Sequence, residues 1–310
     1  MASVNLADIA RRLGGDQPIL VDALTNPQAS VTFGRLPMRQ INGWIEPFTR
    51  IEGRPTVYWR KLGEYVTPQK SSRNPFNEGV FLLSGASEVD KIKADRDPRG
   101  ALALRSEEDW SFMESLGYSL SLQLFYGGTT LASDTDSFDG ICTRLPSTAS
   151  TVVHVGSLGC SVYAFKLGPG RFMGLYNVGP SGKLIEATDY GAVIDKDSSS
   201  NVNELYRTFF NAAFGIAQYH ELAIGRIGQI NYSNSTQDPI AAINFTALYG
   251  KMTMKPDLLV TTWNGWGAIS TLLSGKQVYA PGQTDYAPYV GSYDGIPIIV
   301  DSALVDDVGM

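Results

Sequence analysis

The most regular hydrophobic pattern in the chain covers residues 106–126 and predicts one long amphipathic helix. Ser106 is suited to cap its start, with Asp109 three residues later, and two glycines follow residue 126 as a stop signal. Such a helix would extend roughly 31 Å. Taken alone, this pattern also fits the central helix of an ordinary α+β domain. The apolar stripe comprises Trp110, Met113, Gly117, Leu120 and Leu124.

Most of the remaining pattern is typical of β-strands. Apolar and polar residues alternate over residues 152–178 and 206–230, and residues 211–217 fit either a bend or a helical turn. The chain is therefore expected to fold as an α+β protein. Shorter signals predict strands at 258–263 and 296–300, and helices at 3–13, from Asp238 to Gly250 and at 265–274.

The segment from residue 16 to residue 55 has weak periodicity, five prolines and small apolar clusters. Forty residues without a regular element are unusual in a compact domain, yet this composition is too apolar for a disordered tail. We interpret the segment as an arm that lies over another surface.

Residues 55–90 predict a long β-hairpin. Its strands are expected at 56–66 and 79–83, and a polar, proline-bounded tip is expected at 67–75. A two-stranded hairpin alone is marginally stable in water. Because an extended arm precedes it, we expect the hairpin to lie on another subunit.

Charge and cysteine content narrow the function classes. With a net charge of −6, no general attraction of the chain to nucleic acid is expected. Residues 1–74 carry 10 Lys/Arg against 6 Asp/Glu, whereas residues 75–310 carry 15 against 25, so the basic part of one copy could bind the acidic part of another. Two cysteines, Cys142 and Cys160, fit a reduced cytoplasmic protein. We expect neither a signal peptide nor a membrane-spanning segment.

The search for catalytic chemistry identifies no site. The two histidines, His154 and His220, are far apart in sequence and are interpreted as structural. Gly182-Lys183 and Gly275-Lys276 lack the rest of a phosphate-binding loop. The 31 carboxylates allow a glycosidase-like pair, but no pattern selects one. We therefore predict no catalytic, cofactor-binding or metal site.

The order of these parts resembles the major capsid proteins of tailed bacteriophages, whose fold is shared with encapsulins. The similarity is greatest to the epsilon-fifteen-like short-tailed phage group, and it covers about residues 50–310. It is carried by Tyr58-Trp59-Arg60, Glu88-Val89-Asp90-Lys91, Ser106-Glu107-Glu108-Asp109, Leu124-Phe125-Tyr126-Gly127, Phe138-Asp139-Gly140-Ile141 and Tyr206-Arg207-Thr208.

The resemblance implies a shell protein that forms hexamers and pentamers around double-stranded DNA. It implies a separate scaffolding protein, a portal, a decoration protein and assembly in the bacterial cytoplasm. It also implies a division into an N-terminal arm (1–54), an extended-loop hairpin (55–90), a peripheral domain with the spine helix (91–148), an axial domain (149–204 and 236–288), long peripheral strands (205–235) and a C-terminal peripheral strand (289–310).

The predicted subunit-contact residues are Trp44, Phe48, Trp59, Lys61, Tyr65, Lys70, Arg73 and Phe76. We expect no covalent cross-link through Lys61 or Lys70, because no partner or activating carboxylate is identifiable. Two alternatives remain open: an encapsulin-like compartment, and a soluble hydrolase or binding module.

Overall fold

A computed structural model describes eight stretches of the chain: residues 31–53, 55–132, 136–156, 159–180, 182–196, 202–231, 239–273 and 289–306. The helices in these stretches are α1 (Val31–Arg35), α2 (Lys91–Asp95), α3 (Ala101–Tyr126), α4 (Ile141–Arg144), α5 (Ala242–Met252) and α6 (Trp263–Leu273). The strands are β1 (Met38–Gln40), β2 (Ile45–Gly53), β3 (Ser72–Gly79), β4 (Phe81–Asp90), β5 (Val152–His154), β6 (Cys160–Phe165), β7 (Phe172–Asn177), β8 (Ile185–Lys196), β9 (Val202–Gln218), β10 (Ile224–Ile230), β11 (Leu258–Thr261), β12 (Tyr289–Tyr293) and β13 (Ile296–Val300).

Helix α3 confirms the predicted long helix and ends at Tyr126, as expected. Its start was predicted wrongly, because the helix begins at Ala101 and is capped by Gly100 without a side-chain bond. Ser106 lies inside the helix, and its hydroxyl donates to the carbonyl of Leu102 at 2.9 Å. Asp109 accepts a hydrogen bond from Ser87 of β4. Neither residue therefore caps the helix: Ser106 bonds within it, and Asp109 links it to β4.

A five-stranded sheet packs against α3, with strands in the order β1-β7-β9-β4 and with β8 also paired to β9. Phe112 of α3 stacks on Phe210 of β9, with ring centroids 5.4 Å apart. Gly85 of β4 makes room for this ring, since a Cβ there would lie 1.9 Å from Phe112. Neither open prediction for residues 211–217 is correct, because β9 continues through them, paired with β4 up to Phe214 and with β7 from Ala213 onward.

A six-stranded sheet, in the order β12-β13-β11-β6-β10-β5, forms the second layer. Helices α5 and α6 cover one face, and the other face joins the core around α3. Every residue of β6 is buried, as expected for a strand covered on both faces. The predicted strand at 296–300 is confirmed as β13, and β13 pairs with β11. The predicted helix 3–13 and the Asp238 cap lie outside the described residues.

The described part of the predicted arm, residues 31–53, contains regular structure, so the prediction of an irregular segment is wrong there. Phe33 and Leu36 are completely buried in the main core. Thr32 donates backbone and hydroxyl hydrogen bonds, at 3.2 and 2.5 Å, to the carboxylate of Asp301. Strand β1 pairs in parallel with β7. These partners are far away in sequence, which is why local periodicity does not reveal the elements.

The hairpin exists, but its predicted strand pairing is wrong. Residues 79–83 are extended as predicted, except for Val80, but they form the junction of β3 and β4. Strand β2 pairs with β3, whereas residues 55–71 form the tip and the predicted strand 56–66 is absent. Pro47 and Pro75 suggested breaks, yet each lies inside the ladder, opposite Asn77 and Thr49 respectively. A two-stranded ribbon has a free edge on both strands, so a proline there can lack a hydrogen-bond donor without cost.

Candidate functional site

The tip of the hairpin, residues 55–70, is exposed throughout. Trp59, Leu62 and Tyr65 have relative exposures of 103%, 107% and 102%, which means that they contact almost nothing in their own chain. Val57 is 88% exposed, and Tyr58 and Val66 are each 56% exposed. Large apolar side chains collected at one exposed place are typical of an interaction site.

Polar contacts inside the tip maintain its shape. The amide of Glu64 donates to the carbonyl of Lys61 at 3.2 Å, and Gly63 between them has a φ of +88°. This is the backbone that a type II turn requires of its third residue, and glycine adopts it without strain. Arg60 donates to the Glu64 carbonyl at 2.7 Å. The amide of Thr56 donates to the Gln69 side chain at 2.8 Å, which closes the base of the tip.

The tip carries Arg60, Lys61 and Lys70 against a single acidic residue, Glu64. The rest of the chain is acidic, with 25 Asp/Glu against 15 Lys/Arg in residues 75–310. A tip that is both basic and apolar is therefore complementary in charge to the body of another copy. Such complementarity steers encounter and orientation more than it adds affinity.

The base of the hairpin is anchored to the body. Phe48 of β2 contacts Tyr219, with ring centroids 4.7 Å apart, and Phe76 of β3 lies 5.7 Å from Phe48. Arg50 lies over the Phe76 ring at 4.4 Å and donates to the Gln218 carbonyl at 2.5 Å. The hairpin thus has a packed base and a free tip.

The eight predicted contact residues separate into two groups. Trp59, Lys61, Tyr65 and Lys70 lie on the exposed tip, whereas Phe48 and Phe76 pack on each other at the base. Their role as subunit contacts stays a prediction. The remaining two are also exposed: Trp44 before β2 and Arg73 on β3.

Sequence reasoning missed Leu62, the most exposed apolar residue of the tip. The Leu62-Gly63 pair is a turn signal and would have interrupted the predicted strand. It also missed Glu78 and Arg144, which form a buried ion pair at the base. No local signal marks that pair, because the two residues are distant in sequence and only the fold brings them together.

The other candidate groups have structural partners. His154 lies 2.8 Å from the carbonyl of Ser147 through Nε2, and Nδ1 of His220 accepts from the Leu222 amide. Cys142 and Cys160 are buried free thiols, and burial raises the pKa of Cys142. Within the described stretches, no three His, Cys, Asp or Glu residues are grouped to hold a metal.

Burial also raises the pKa of both Tyr126 and Tyr163. Both tyrosines lie in the core cluster between α3 and the six-stranded sheet. Tyr126 receives a hydrogen bond from the Val305 amide at 2.8 Å, which ties the C-terminal segment to the spine helix. In the part of the chain that the structure describes, no helix is long and apolar enough to cross a membrane.

Several solved phage structures are similar to this chain in fold. The capsid protein of bacteriophage epsilon15 matches with a TM-score of 0.64 and 18% identity, over 91% of this chain and 92% of that one. The bacteriophage JBD30 capsid matches with a TM-score of 0.53 and 13% identity, over 89% of each chain. The JBD30 capsid decorated with minor capsid protein trimers matches with a TM-score of 0.51 and 9% identity, over 90% and 92%. No curated protein matches the chain.

The sequence itself matches a protein family. The profile described as "Major capsid protein GP7" covers residues 42–261, which is more than half of the 310 residues. The predicted capsid resemblance and the predicted α+β capsid fold are thereby confirmed. The chain belongs to the major capsid protein GP7 family and is a structural protein of the phage capsid.

Proposed function

We propose that copies of this chain assemble as hexamers and pentamers into an icosahedral shell that encloses double-stranded DNA. The exposed tip of the hairpin carries the proposal, because the described residues leave Trp59, Leu62 and Tyr65 fully exposed. A shell places an identical neighbour beside every subunit, so the same surface of each copy is covered by the next.

The observed helices and strands support a division of the chain into capsid domains whose boundaries differ from those expected from the sequence. The extended loop is the hairpin β2–β3 with its tip, and it starts ten residues earlier than predicted. The peripheral domain consists of α3 and the five-stranded sheet. The axial domain consists of the six-stranded sheet with α5 and α6, and it includes β12 and β13.

The proposed role of the chain is that of a structural subunit of the shell and not that of an enzyme. Its partners are further copies of itself, a separate scaffolding protein, a portal, a decoration protein and packaged DNA contacted without sequence preference. Decoration is supported by the related JBD30 capsid, which is described as decorated with minor capsid protein trimers. Assembly takes place in the host cytoplasm, before the protein becomes part of the virion.

Expression of the chain, with and without a candidate scaffolding protein, tests the proposal. Size-exclusion chromatography with light scattering should show megadalton particles or capsomers, and negative-stain microscopy should show closed shells. A stable monomer at high concentration, with the hairpin tip still exposed and the scaffolding protein present, would overturn the proposed assembly.

A further inference from the structure

Two carboxylates lie directly opposite each other at the base of the hairpin. Glu46 of β2 pairs in register with Glu78 of β3. Like charges at directly opposite positions of an antiparallel pair are destabilising. Each carboxylate is compensated by an arginine from a different element of the body. Glu46 forms an ion pair with Arg39 of β1 at 2.7 Å. Glu78 forms an ion pair with both terminal nitrogens of the Arg144 guanidinium on α4, and the Nη2–Oε2 distance is 2.8 Å.

The two ion pairs differ in burial. The side chains of Glu78 and Arg144 are 7% and 12% exposed, whereas that of Arg39 is 50% exposed. Glu78 also accepts from the amide of Gln218 at 3.4 Å, and Arg144 donates to the carbonyl of Asp139 at 2.8 Å. The buried pair is thus bonded to two further parts of the chain, while in the outer pair the Glu46 side chain is 19% exposed and Arg39 is half exposed to water.

The geometry of the buried Glu78–Arg144 pair can fix the angle between the hairpin and the rest of the subunit. A bidentate guanidinium–carboxylate contact constrains both distance and direction. The other anchors at this base are aromatic contacts, which are non-directional, together with the Arg39–Glu46 pair and the hydrogen bond from Arg50 to the Gln218 carbonyl. Of the two ion pairs, Glu78–Arg144 is the more buried. Strands β2 and β3 pair only with each other among the described strands. Without the ion pair, the ribbon would remain packed at its base but would be free to pivot.

We propose that the Glu78–Arg144 pair positions the hairpin at the angle at which its tip reaches a neighbouring subunit. Glu78 is therefore a positioning residue for assembly. A buried ion pair often contributes little net stability compared with apolar groups of similar volume, and specificity is a documented reason for keeping one. The consequence for shells rests on the proposed function, whereas the pivoting of the hairpin does not.

Hydrogen–deuterium exchange of the soluble, unassembled protein tests the pivot directly. Glu78→Gln should raise exchange in β2 and β3 at least about tenfold, which corresponds to about 1.4 kcal/mol. Exchange in β11 and β13 should not change. Glu46→Gln is the matched control, and because the Arg39 that loses its partner is half exposed to water, exchange should change by less than about threefold. Equal effects of the two variants, or unchanged exchange in Glu78→Gln, would overturn the proposal.

A paired substitution separates positioning from simple stability. Glu78→Met with Arg144→Met removes both buried charges and leaves neither unpaired, so thermal stability should return close to wild type. Shell yield should nevertheless stay at least about tenfold below wild type, because the directional contact is gone. Recovery of shells together with stability would overturn the positioning role. If wild type itself forms no shells, the proposed function fails, and the exchange experiment still decides whether the pair holds the hairpin.

Discussion

Removing the apolar side chains from the hairpin tip should abolish assembly without unfolding the subunit. The perturbation is the triple variant Trp59→Ser, Leu62→Ser and Tyr65→Ser. All three side chains are fully exposed, with relative exposures above 100%. Exposed substitutions of this kind usually change the free energy of unfolding by less than about 0.5 kcal/mol. The isolated subunit should therefore keep its thermal unfolding midpoint.

The expected loss of association follows from the area that the tip can bury. A buried aromatic side chain covers about 150–250 Å², and apolar area contributes about 25 cal/mol per Å². If a neighbour covers half of each ring, Trp59 and Tyr65 contribute about 2–3 kcal/mol each. Leu62 adds about 1 kcal/mol. The sum of about 5–7 kcal/mol corresponds to a loss of roughly 10⁴-fold in association constant for each contact.

The assay is the concentration threshold for shell formation, measured by light scattering and checked by negative-stain microscopy. The matched control is Trp59→Phe with Tyr65→Phe, which keeps most of the apolar area and should form shells near the wild-type threshold. Shells from the serine variant at the wild-type threshold would show that the tip is not a main contact. A lowered unfolding midpoint of the serine subunit would contradict the exposed placement of the tip.

Three further predictions concern the fold. Asp301→Ala should lower the free energy of unfolding by about 1–3 kcal/mol in denaturant titrations, because it leaves the buried donors of Thr32 unpaired. Burial raises the pKa of Asp301, so its contribution to stability is complete below the unfolded pKa of about 3.9 and is lost as pH rises through the native pKa. Unfolding measured against pH should therefore show a decline in wild type that Asp301→Asn removes, and identical profiles would contradict this. Gly85→Ala should destabilise by about 1–3 kcal/mol through its clash with Phe112. Gly267→Ala, where a Cβ meets open space within α6, should stabilise by up to about 1 kcal/mol, and thermal melts that reverse this order would contradict the packing.

Local patterns predicted the elements whose signals are contained in one short stretch. The apolar stripe and the two following glycines located the end of α3 at Tyr126, and a short β-branched run located β13. The start of α3 was missed, because Gly100 supplies no side-chain cap and Ser106 gave a misleading one. The order of short motifs was sufficient to suggest the capsid family, which the match over residues 42–261 confirms.

The elements that local patterns failed to predict depend on pairing between residues distant in sequence. Pro47 and Pro75 look like strand breakers until each is placed on a free edge of a two-stranded ribbon. Residues 211–217 look like a bend until β9 is seen to continue through them, paired with β4 up to Phe214 and with β7 from Ala213 onward. Phe33 looks like part of a loose arm until Phe214 is found beside it, 5.6 Å away.

The candidate site also combines features that the sequence predicts with features that only the fold reveals. The sequence indicated a hairpin rich in apolar and basic residues, because these residues can be recognised by type alone. Only the folded chain shows which of them are exposed and that Glu78 meets Arg144, 66 residues later. Periodicity and turn chemistry are properties of neighbouring residues, so they can be read along the chain. Register, burial and ion pairing depend on residues that folding brings together from distant positions, so they exist only in the tertiary structure.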